Sequence, residues 1–192
     1  MARTKKAGAK IRFPMVGVCG LPCRLCTLFH SEGGNRCEGC KCDRRRAEGC
    51  PFHTCALERH GVEFCGDCAD HETCARWTAF RERRAKADTV VSSQILESDL
   101  EWTERKGLAA YNKLQKERLR LLNKMLSGFN EGRSKGYYCV AATVLDVAGL
   151  EKILIEAERR ARGVELKERA AILRSLLDAR ADKKGLVLRR RK

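Results

Sequence analysis

The cysteines of this chain are concentrated in one segment, and that segment constrains the fold more than any other feature. Eleven of the twelve cysteines lie between Cys19 and Cys74, and Cys139 stands alone. Residues 13–75 combine these thiols with glycines and only scattered aliphatic side chains, which is too little apolar surface for a core of their own. We therefore expect bound metal to substitute for an apolar core there.

The apolar stretch near the N-terminus does not have the form of a secretory signal. Residues 13–21 are short, are interrupted by Pro and Gly, and are followed by no small-residue cleavage site. No run reaches the roughly 20 apolar residues that a membrane-spanning helix needs. We expect a cytoplasmic protein that does not bind membranes, and in a reducing cytosol dense thiols are more often metal ligands than disulfides.

Three Cys-x2-Cys pairs are the strongest metal signal in the sequence. They are Cys23 with Cys26, Cys37 with Cys40, and Cys65 with Cys68. Two such pairs complete a tetrahedral zinc site with Zn–S bonds of about 2.3 Å. Of the eleven cysteines in this segment, eight would complete two sites and three would remain. All eleven together with His53 would complete three sites, but three ions would be crowded in so short a segment. The sequence favours about two structural zinc sites and does not fix which cysteines share an ion.

Iron–sulfur binding is the main alternative. Cys19-x3-Cys23-x2-Cys26 matches the spacing by which radical-SAM enzymes hold a [4Fe–4S] cluster. Those enzymes then need a long alternation of strands and helices, and here the cysteine-rich stretch follows instead. A cluster without that chemistry, held by these three thiols and a distant fourth, stays open as an iron–sulfur or redox-associated accessory function.

The cysteine motifs resemble a small archaeal and bacterial family called domain of unknown function 3795. The resemblance rests on Cys19-Gly-Leu-Pro-Cys-Arg-Leu-Cys26, Cys37-Glu-Gly-Cys40, Cys50-x4-Cys55 and Gly61-Val-Glu-Phe-Cys-Gly-Asp-Cys68, with a weaker likeness over residues 130–139. It implies metal ligation by Cys19, Cys23, Cys26, Cys37, Cys40, Cys50, Cys55, Cys65, Cys68 and Cys74. Cys42 is additional to the family pattern, and the family implies no activity.

Positive charge lies mainly outside the cysteine-rich segment. The chain has a net charge of +15, whereas residues 19–75 carry seven basic and nine acidic side chains. Such a balance indicates RNA, DNA or a ribonucleoprotein as partner, through the basic N-terminal arm, the helices and the C-terminus. A general solubility role for this charge, and a zinc-stabilised protein–protein adaptor, are the alternatives.

The composition predicts three parts. These are a flexible basic arm over 1–12, a cysteine-rich metal-binding module over 13–76, and a mainly α-helical basic domain over 77–192. Apolar residues recur at three- and four-residue steps from Leu108 to Met125, and amphipathic helices are predicted over 150–162 and 166–181.

Three local features of the second half leave more than one interpretation. Ser92 and Ser93 offer a cap for the helix that follows them. The apolar run over 137–145 fits a buried strand or a core helix, and residues 186–188 fit a short strand or a tail. The domain is therefore mainly helical with room for one or two short strands.

No catalytic motif stands out, so a non-enzymatic protein is favoured. Cys139 has no histidine near it in sequence, and a buried structural cysteine is the favoured interpretation. The loop over 132–136 has donors suited to phosphate but lacks the full phosphate-loop pattern. His30, His60 and His71 are interpreted as ordinary exposed histidines.

Overall fold

A computed structural model describes residues 9–192, apart from the side chain of Asn35. Most of the predicted arm over 1–12 therefore lies outside the described residues. The helices of this part are α1 (Asp43–Ala47), α2 (Pro51–His53), α3 (Ala75–Lys86), α4 (Leu96–Lys106), α5 (Leu108–Phe129), α6 (Lys135–Val144), α7 (Val147–Arg160) and α8 (Leu166–Asp182). α2 continues as a π-helical turn over Thr54–His60. The predicted mainly helical second half is confirmed.

β-structure is nearly absent from residues 9–192. The only pairing there is an isolated antiparallel bridge between Val16 and Pro22. Neither of the strands for which the sequence left room is present: residues 137–144 belong to α6, and residues 186–188 are irregular.

α6 lies at the centre of the main core. Its residues from Tyr138 to Val144 are all buried, and α5, α7 and α8 contribute the side chains around them. A run that is buried on every side carries no alternation of polar and apolar positions, which is why its sequence fitted a strand as well as a helix. The Tyr138 hydroxyl satisfies its hydrogen-bonding need by donating to the Phe129 carbonyl at 2.9 Å.

α5 connects the main core with the cysteine-rich segment. The predicted stripe is confirmed, because Leu108, Tyr111, Leu121, Leu122 and Met125 are buried on one face of this helix. The turn between α4 and α5 is made at Gly107, whose φ of +83° lies in the region that favours glycine.

The cysteine-rich segment and the helical segment share apolar packing. Leu25 is fully buried within the main core. In α3, Trp77 stacks on Phe80 with ring centroids 5.7 Å apart, and both rings receive edge contacts from Phe52. Phe64 makes a further edge contact with Trp77 at 6.5 Å. The few large side chains of the first segment are therefore buried against helices of the second.

The cap predicted at Ser92 and Ser93 is wrong. α4 begins at Leu96, its N-cap is Ile95, and no side chain caps it. The serine hydroxyls instead donate to the Asp88 carboxylate, at 3.3 Å from Ser92 and 2.9 Å from Ser93. A buried carboxylate needs these donors, and that need prevails over a local capping preference.

The C-terminal segment is held against the loop that follows α3. The Arg191 backbone N–H donates to Asp88 Oδ2 at 2.8 Å, and its guanidinium donates to Asp88 Oδ1 at 3.0 Å. The same guanidinium donates to the carbonyls of Arg84 at 2.7 Å and Ala85 at 2.6 Å, at the end of α3. The Asp88 side chain is 0% exposed, so Arg191 is its main compensating charge.

No helix within residues 9–192 combines the length and the apolar character that crossing a bilayer demands.

We expect Arg191→Ala to lower the free energy of unfolding by about 1.5–3 kcal/mol, because it removes charged hydrogen bonds from a buried carboxylate. Arg190→Ala is the control: Arg190 is exposed and donates one hydrogen bond to the Thr89 carbonyl at 3.2 Å, so we expect a change within about 0.5 kcal/mol. Chemical denaturation of both variants measures the difference.

The effect of Arg191→Ala should also depend on pH. Burial by itself would raise the pKa of Asp88, but hydrogen bonds from Ser93 and Arg191 outweigh it and hold the pKa below its ordinary value. A lowered carboxyl pKa stabilises the fold above the unfolded pKa of about 3.9, and this contribution is lost as the pH falls through the folded value. The difference between wild type and Arg191→Ala should therefore shrink in acid; a constant difference would contradict this origin.

Candidate metal centre

The first cysteine loop is positioned by α5 and by one glycine. Gly20 has a φ of +82°, and a Cβ there would lie 2.9 Å from Leu100 Cδ2, so no other residue fits without strain. The Tyr111 hydroxyl lies 3.1 Å from the Gly20 carbonyl and 2.9 Å from Asp99 Oδ2, both of them acceptors. Arg118 donates to the same carboxylate at 3.0 Å. This buried network connects the loop before Cys23 with α4 and α5.

Four thiols meet beside this loop, and we name them group one: Cys23, Cys26, Cys37 and Cys40. The Cys40 backbone N–H donates to Cys23 Sγ at 3.2 Å. The side-chain contact with Cys23, followed by burial, raises the pKa of Cys40. Burial, and then the neighbouring thiols Cys40 and Cys37, raise the pKa of Cys26. Two of the predicted Cys-x2-Cys pairs therefore converge in space.

A second set of four thiols lines one cavity of about 150 Å³, and we name it group two: Cys55, Cys65, Cys68 and Cys74. Burial raises the pKa of Cys65, and the neighbouring thiols Cys19, Cys55, Cys68 and Cys74 raise it further. His60, Asp70 and His71 line the same cavity, and Phe52 and Trp77 supply its apolar wall. The third Cys-x2-Cys pair is thus completed by one cysteine from the π-helical turn and one that precedes α3.

Cys19 is close to thiols of both groups. Burial raises its pKa to about 12, and the nearby thiols of Cys40 and Cys50 contribute to the increase. Cys19 also contributes to the raised pKa of Cys65. Thiols that are buried side by side resist ionisation unless a cation joins them, so this arrangement suits a bound metal ion.

Two cations, Lys41 and Arg45, lie near group one. The Lys41 side chain is fully buried, and its ammonium lies 3.0 Å from Glu63 Oε1 and near the thiols of Cys23 and Cys19. The guanidinium of Arg45 lies beside Cys37 and Cys40. Sequence reasoning did not identify Lys41 as part of the site, because only the fold brings its ammonium to these thiols. Positive charge around a set of thiols favours the thiolate form that binds metal.

The tightest set of candidate ligand atoms in residues 9–192 is found at the edge of group two. His60, Cys68 and Asp70 place one donor atom each within 4.8 Å of one another, and His60 Nδ1 lies 3.7 Å from Asp70 Oδ2. No three thiols in the described chain lie that close together. Zn–S bonds of about 2.3 Å require sulfurs about 3.8 Å apart, so each group would have to contract around a zinc ion.

The two additional predicted ligands belong to neither group as these contacts define them. Cys42 is half-buried and immediately precedes α1. His53 is buried at the end of α2, and its Nδ1 has no hydrogen-bond partner; Glu58 Oε1 lies 4.0 Å from it. Neither residue lines the cavity of group two.

The histidines predicted to be ordinary and exposed differ from one another. His60 is exposed, but His30 and His71 are half-buried and each has a backbone partner. His30 Nε2 lies 2.7 Å from the Arg24 carbonyl, and His71 Nδ1 lies 2.9 Å from the Cys68 carbonyl. His71 therefore sits against a cysteine of group two.

Cys139 is buried in the main core, as its sequence context favoured. Burial raises its pKa to about 12, and Cys26 is a neighbouring thiol that contributes to the increase. The sequence isolates Cys139, whereas the packing of the first cysteine loop against α6 brings it near group one. None of the twelve cysteines, every one of them in the described part of the chain, forms a disulfide.

Comparisons of the chain with protein-family models, with curated proteins and with solved structures found no match. The resemblance to domain of unknown function 3795 therefore stays a prediction. The function of the site has to be argued from its own geometry.

We expect Cys40→Ser and Cys65→Ser each to remove about one of two bound metal equivalents, because each takes a thiolate from a different group of four. Combining them should remove both equivalents. Elemental analysis of the purified variants measures the loss.

Cys42→Ser and Cys139→Ser are the matched controls and should keep the metal content of the wild type. Cys139→Ser buries a hydroxyl in an apolar core, so it should lower stability without releasing metal. Equal metal loss from Cys139→Ser and Cys40→Ser would contradict the division into groups.

Proposed function

We propose that the protein is a metal-binding protein in which groups one and two each hold one metal centre. The observation that carries this proposal is the convergence of eight thiols from distant parts of the sequence into two sets of four. Soft thiolate donors select zinc or iron–sulfur centres over harder cations. Of the eleven thiols between Cys19 and Cys74, two four-ligand sites leave over three, namely Cys19, Cys42 and Cys50.

Zinc is the first candidate for these centres. A structural zinc ion bound by four thiolates supplies folding free energy to a segment whose own apolar core is small. A closed site of four thiolates carries a net charge of −2. Lys41 and Arg45 lie near group one and offset part of that charge, because each is also paired with a carboxylate, Lys41 with Glu63 and Arg45 with Glu48.

An iron–sulfur centre is the second candidate, and one observation favours it. The thiols within each group are neighbours, but no three of their sulfurs lie within 4.8 Å of one another. A four-iron cluster is larger than a single ion and holds its thiolates further apart, so it needs less contraction of the site. The function would then be that of an iron–sulfur or redox-associated accessory protein.

The proposed partner is RNA, DNA or a ribonucleoprotein. The net charge of +15 supports this proposal, together with its location outside the cysteine-rich segment. The metal centres would serve as a scaffold, and no group in the site is assigned to catalysis. A protein–protein adaptor is the alternative if the charge only solvates the surface.

We expect anaerobically purified protein to contain about two metal centres per chain, because eight thiolates complete two sites of four ligands. A colourless protein with zinc supports the first candidate, and a brown protein with iron and inorganic sulfide supports the second. Chelation should abolish the protease resistance of residues 13–76, because the thiols would be left without a cation. An unchanged circular dichroism spectrum and unchanged protease resistance after complete metal removal would contradict the proposal.

We expect the intact protein to retard both RNA and duplex DNA at low salt, and the binding to weaken steeply as salt is added. Each neutralised phosphate releases counterion, so the logarithm of the affinity falls by about 0.7–0.9 per neutralised phosphate for each tenfold increase in salt. Gel retardation over a series of salt concentrations measures this slope. Failure to retard either nucleic acid at low salt would make the adaptor function the better interpretation.

A further inference from the structure

The fold joins two basic segments that are far apart in the sequence. The last turn of α3 carries Arg83 and Lys86, and the C-terminal residues 189–192 lie against the loop that follows it. Further hydrogen bonds fix this arrangement besides those that the Asp88 carboxylate accepts. The Asp88 backbone N–H donates to the Arg191 carbonyl at 3.0 Å, Arg190 donates to the Thr89 carbonyl, and Gln94 Nε2 donates to the Val187 carbonyl at 2.8 Å.

The resulting surface is rich in exposed cations and poor in exposed carboxylates. We name it the α3–C-terminal surface and define it by Arg83, Lys86, Arg189, Arg190 and Lys192, all of which are exposed. The Asp88 carboxylate is fully buried and is neutralised by Arg191. Glu82 is the exposed acid next to Arg83 in the sequence, and Glu97 is paired with Arg81.

Other basic stretches pair with acids of their own. In the run Arg44-Arg45-Arg46, the first two side chains pair with Glu48 and the third pairs with Glu58. Arg159 and Arg160 both pair with Glu156. Cations that are already paired with carboxylates attract a further anion less strongly.

The cavity of about 540 Å³ beside the loop over 132–136 is a weaker candidate. Arg133, Lys167 and Arg174 line it, but Glu131 lines it as well, and its carboxylate lies 3.9 Å from the Arg174 guanidinium. Arg174 also donates to Ser134 Oγ at 3.1 Å. The cavity beside the loop that the sequence singled out for phosphate therefore has one of its three cations, Arg174, already engaged.

We propose that the α3–C-terminal surface binds the phosphodiester backbone of a nucleic acid, an inference that rests on the proposed function and gives its partner a location. Phosphate contacts, not base stacking, are expected there. The aromatic rings of α3, Trp77 and Phe80, are buried against Phe52, so they offer no stacking surface.

Arg191 has a different role from its neighbours in this proposal. Its guanidinium is engaged with Asp88 and with carbonyls of α3, so it positions the C-terminal segment and does not contact phosphate. Deleting residues 189–192 would therefore mix weaker binding with a disturbed structure. Substitutions that retain Arg191 avoid this.

The test compares two variants with an equal reduction in charge. In the surface variant, Arg83, Lys86, Arg189, Arg190 and Lys192 are each replaced by Gln. In the control variant, five exposed cations of α5, α7 and the turn after α7 are each replaced by Gln: Lys113, Lys116, Lys124, Lys152 and Arg162. Both changes reduce the formal net charge from +15 to +10. Metal content and melting temperature are measured first, to confirm that both variants fold.

Binding to single-stranded RNA and to duplex DNA is then measured against salt. We expect the surface variant to bind at least about tenfold more weakly than the wild type. The slope of the logarithm of the affinity against the logarithm of the salt concentration should become less steep by about 0.7–0.9 for each phosphate that the variant no longer neutralises. The control variant should keep most of its affinity. An equal loss of nucleic-acid affinity in the two variants would show that the α3–C-terminal surface is not the binding site, although the protein would still bind nucleic acid.

Two further outcomes separate this inference from the proposed function. If the wild type binds neither nucleic acid at low salt, the proposed nucleic-acid partner is wrong and this inference fails with it, whereas the metal-binding proposal is decided by the metal analysis. If the wild type binds vesicles of phosphatidylserine through these cations but binds no nucleic acid, the surface recognises lipid headgroups and the inference is overturned.

Discussion

The cysteine-rich segment depends on a buried carboxylate outside it. Asp99 is buried in α4, and the Arg118 guanidinium and the Tyr111 hydroxyl of α5 compensate its charge. Burial and the charge of Asp99 raise the pKa of Tyr111 well above its ordinary value, so the hydroxyl keeps its proton. The same hydroxyl reaches the Gly20 carbonyl in the first cysteine loop. Removing Asp99 or Arg118 would leave the other as a buried charge without its partner, and removing the Tyr111 hydroxyl would break the contact between this pair and the loop.

This attachment explains how a segment with few apolar side chains becomes ordered. Leu25 is buried in the main core, and Phe52 and Phe64 are covered by the aromatic residues of α3. The cysteine-rich segment has only a small apolar cluster of its own, around Val18, Ala56 and Leu57, and the helical segment supplies further apolar contacts. These apolar contacts do not fix the positions of the thiols relative to one another. Metal centres in groups one and two would fix those positions.

The proposed functions occupy different parts of the molecule. The thiols lie in a segment with more acidic than basic side chains, and metal bound by four thiolates would make that segment more negative. The cations of the α3–C-terminal surface come instead from residues that follow Cys74 and from the end of the chain. The surface includes the end of α3 opposite to Cys74, so the proposed metal centres are assigned no part in the phosphate contacts.

The sequence alone determined the amphipathic helices and the three Cys-x2-Cys pairs, because helical periodicity and Cys-x2-Cys spacing are local properties of the chain. Tertiary structure decided what depends on distant neighbours. Residues 137–144 became a helix because three helices surround them, and Ser93 turned from capping to Asp88 because that carboxylate is buried. Eight thiols lie in two groups, and Arg191 binds Asp88. Both arrangements bring together residues that no spacing rule connects. Only the packing of the helices brings them within reach.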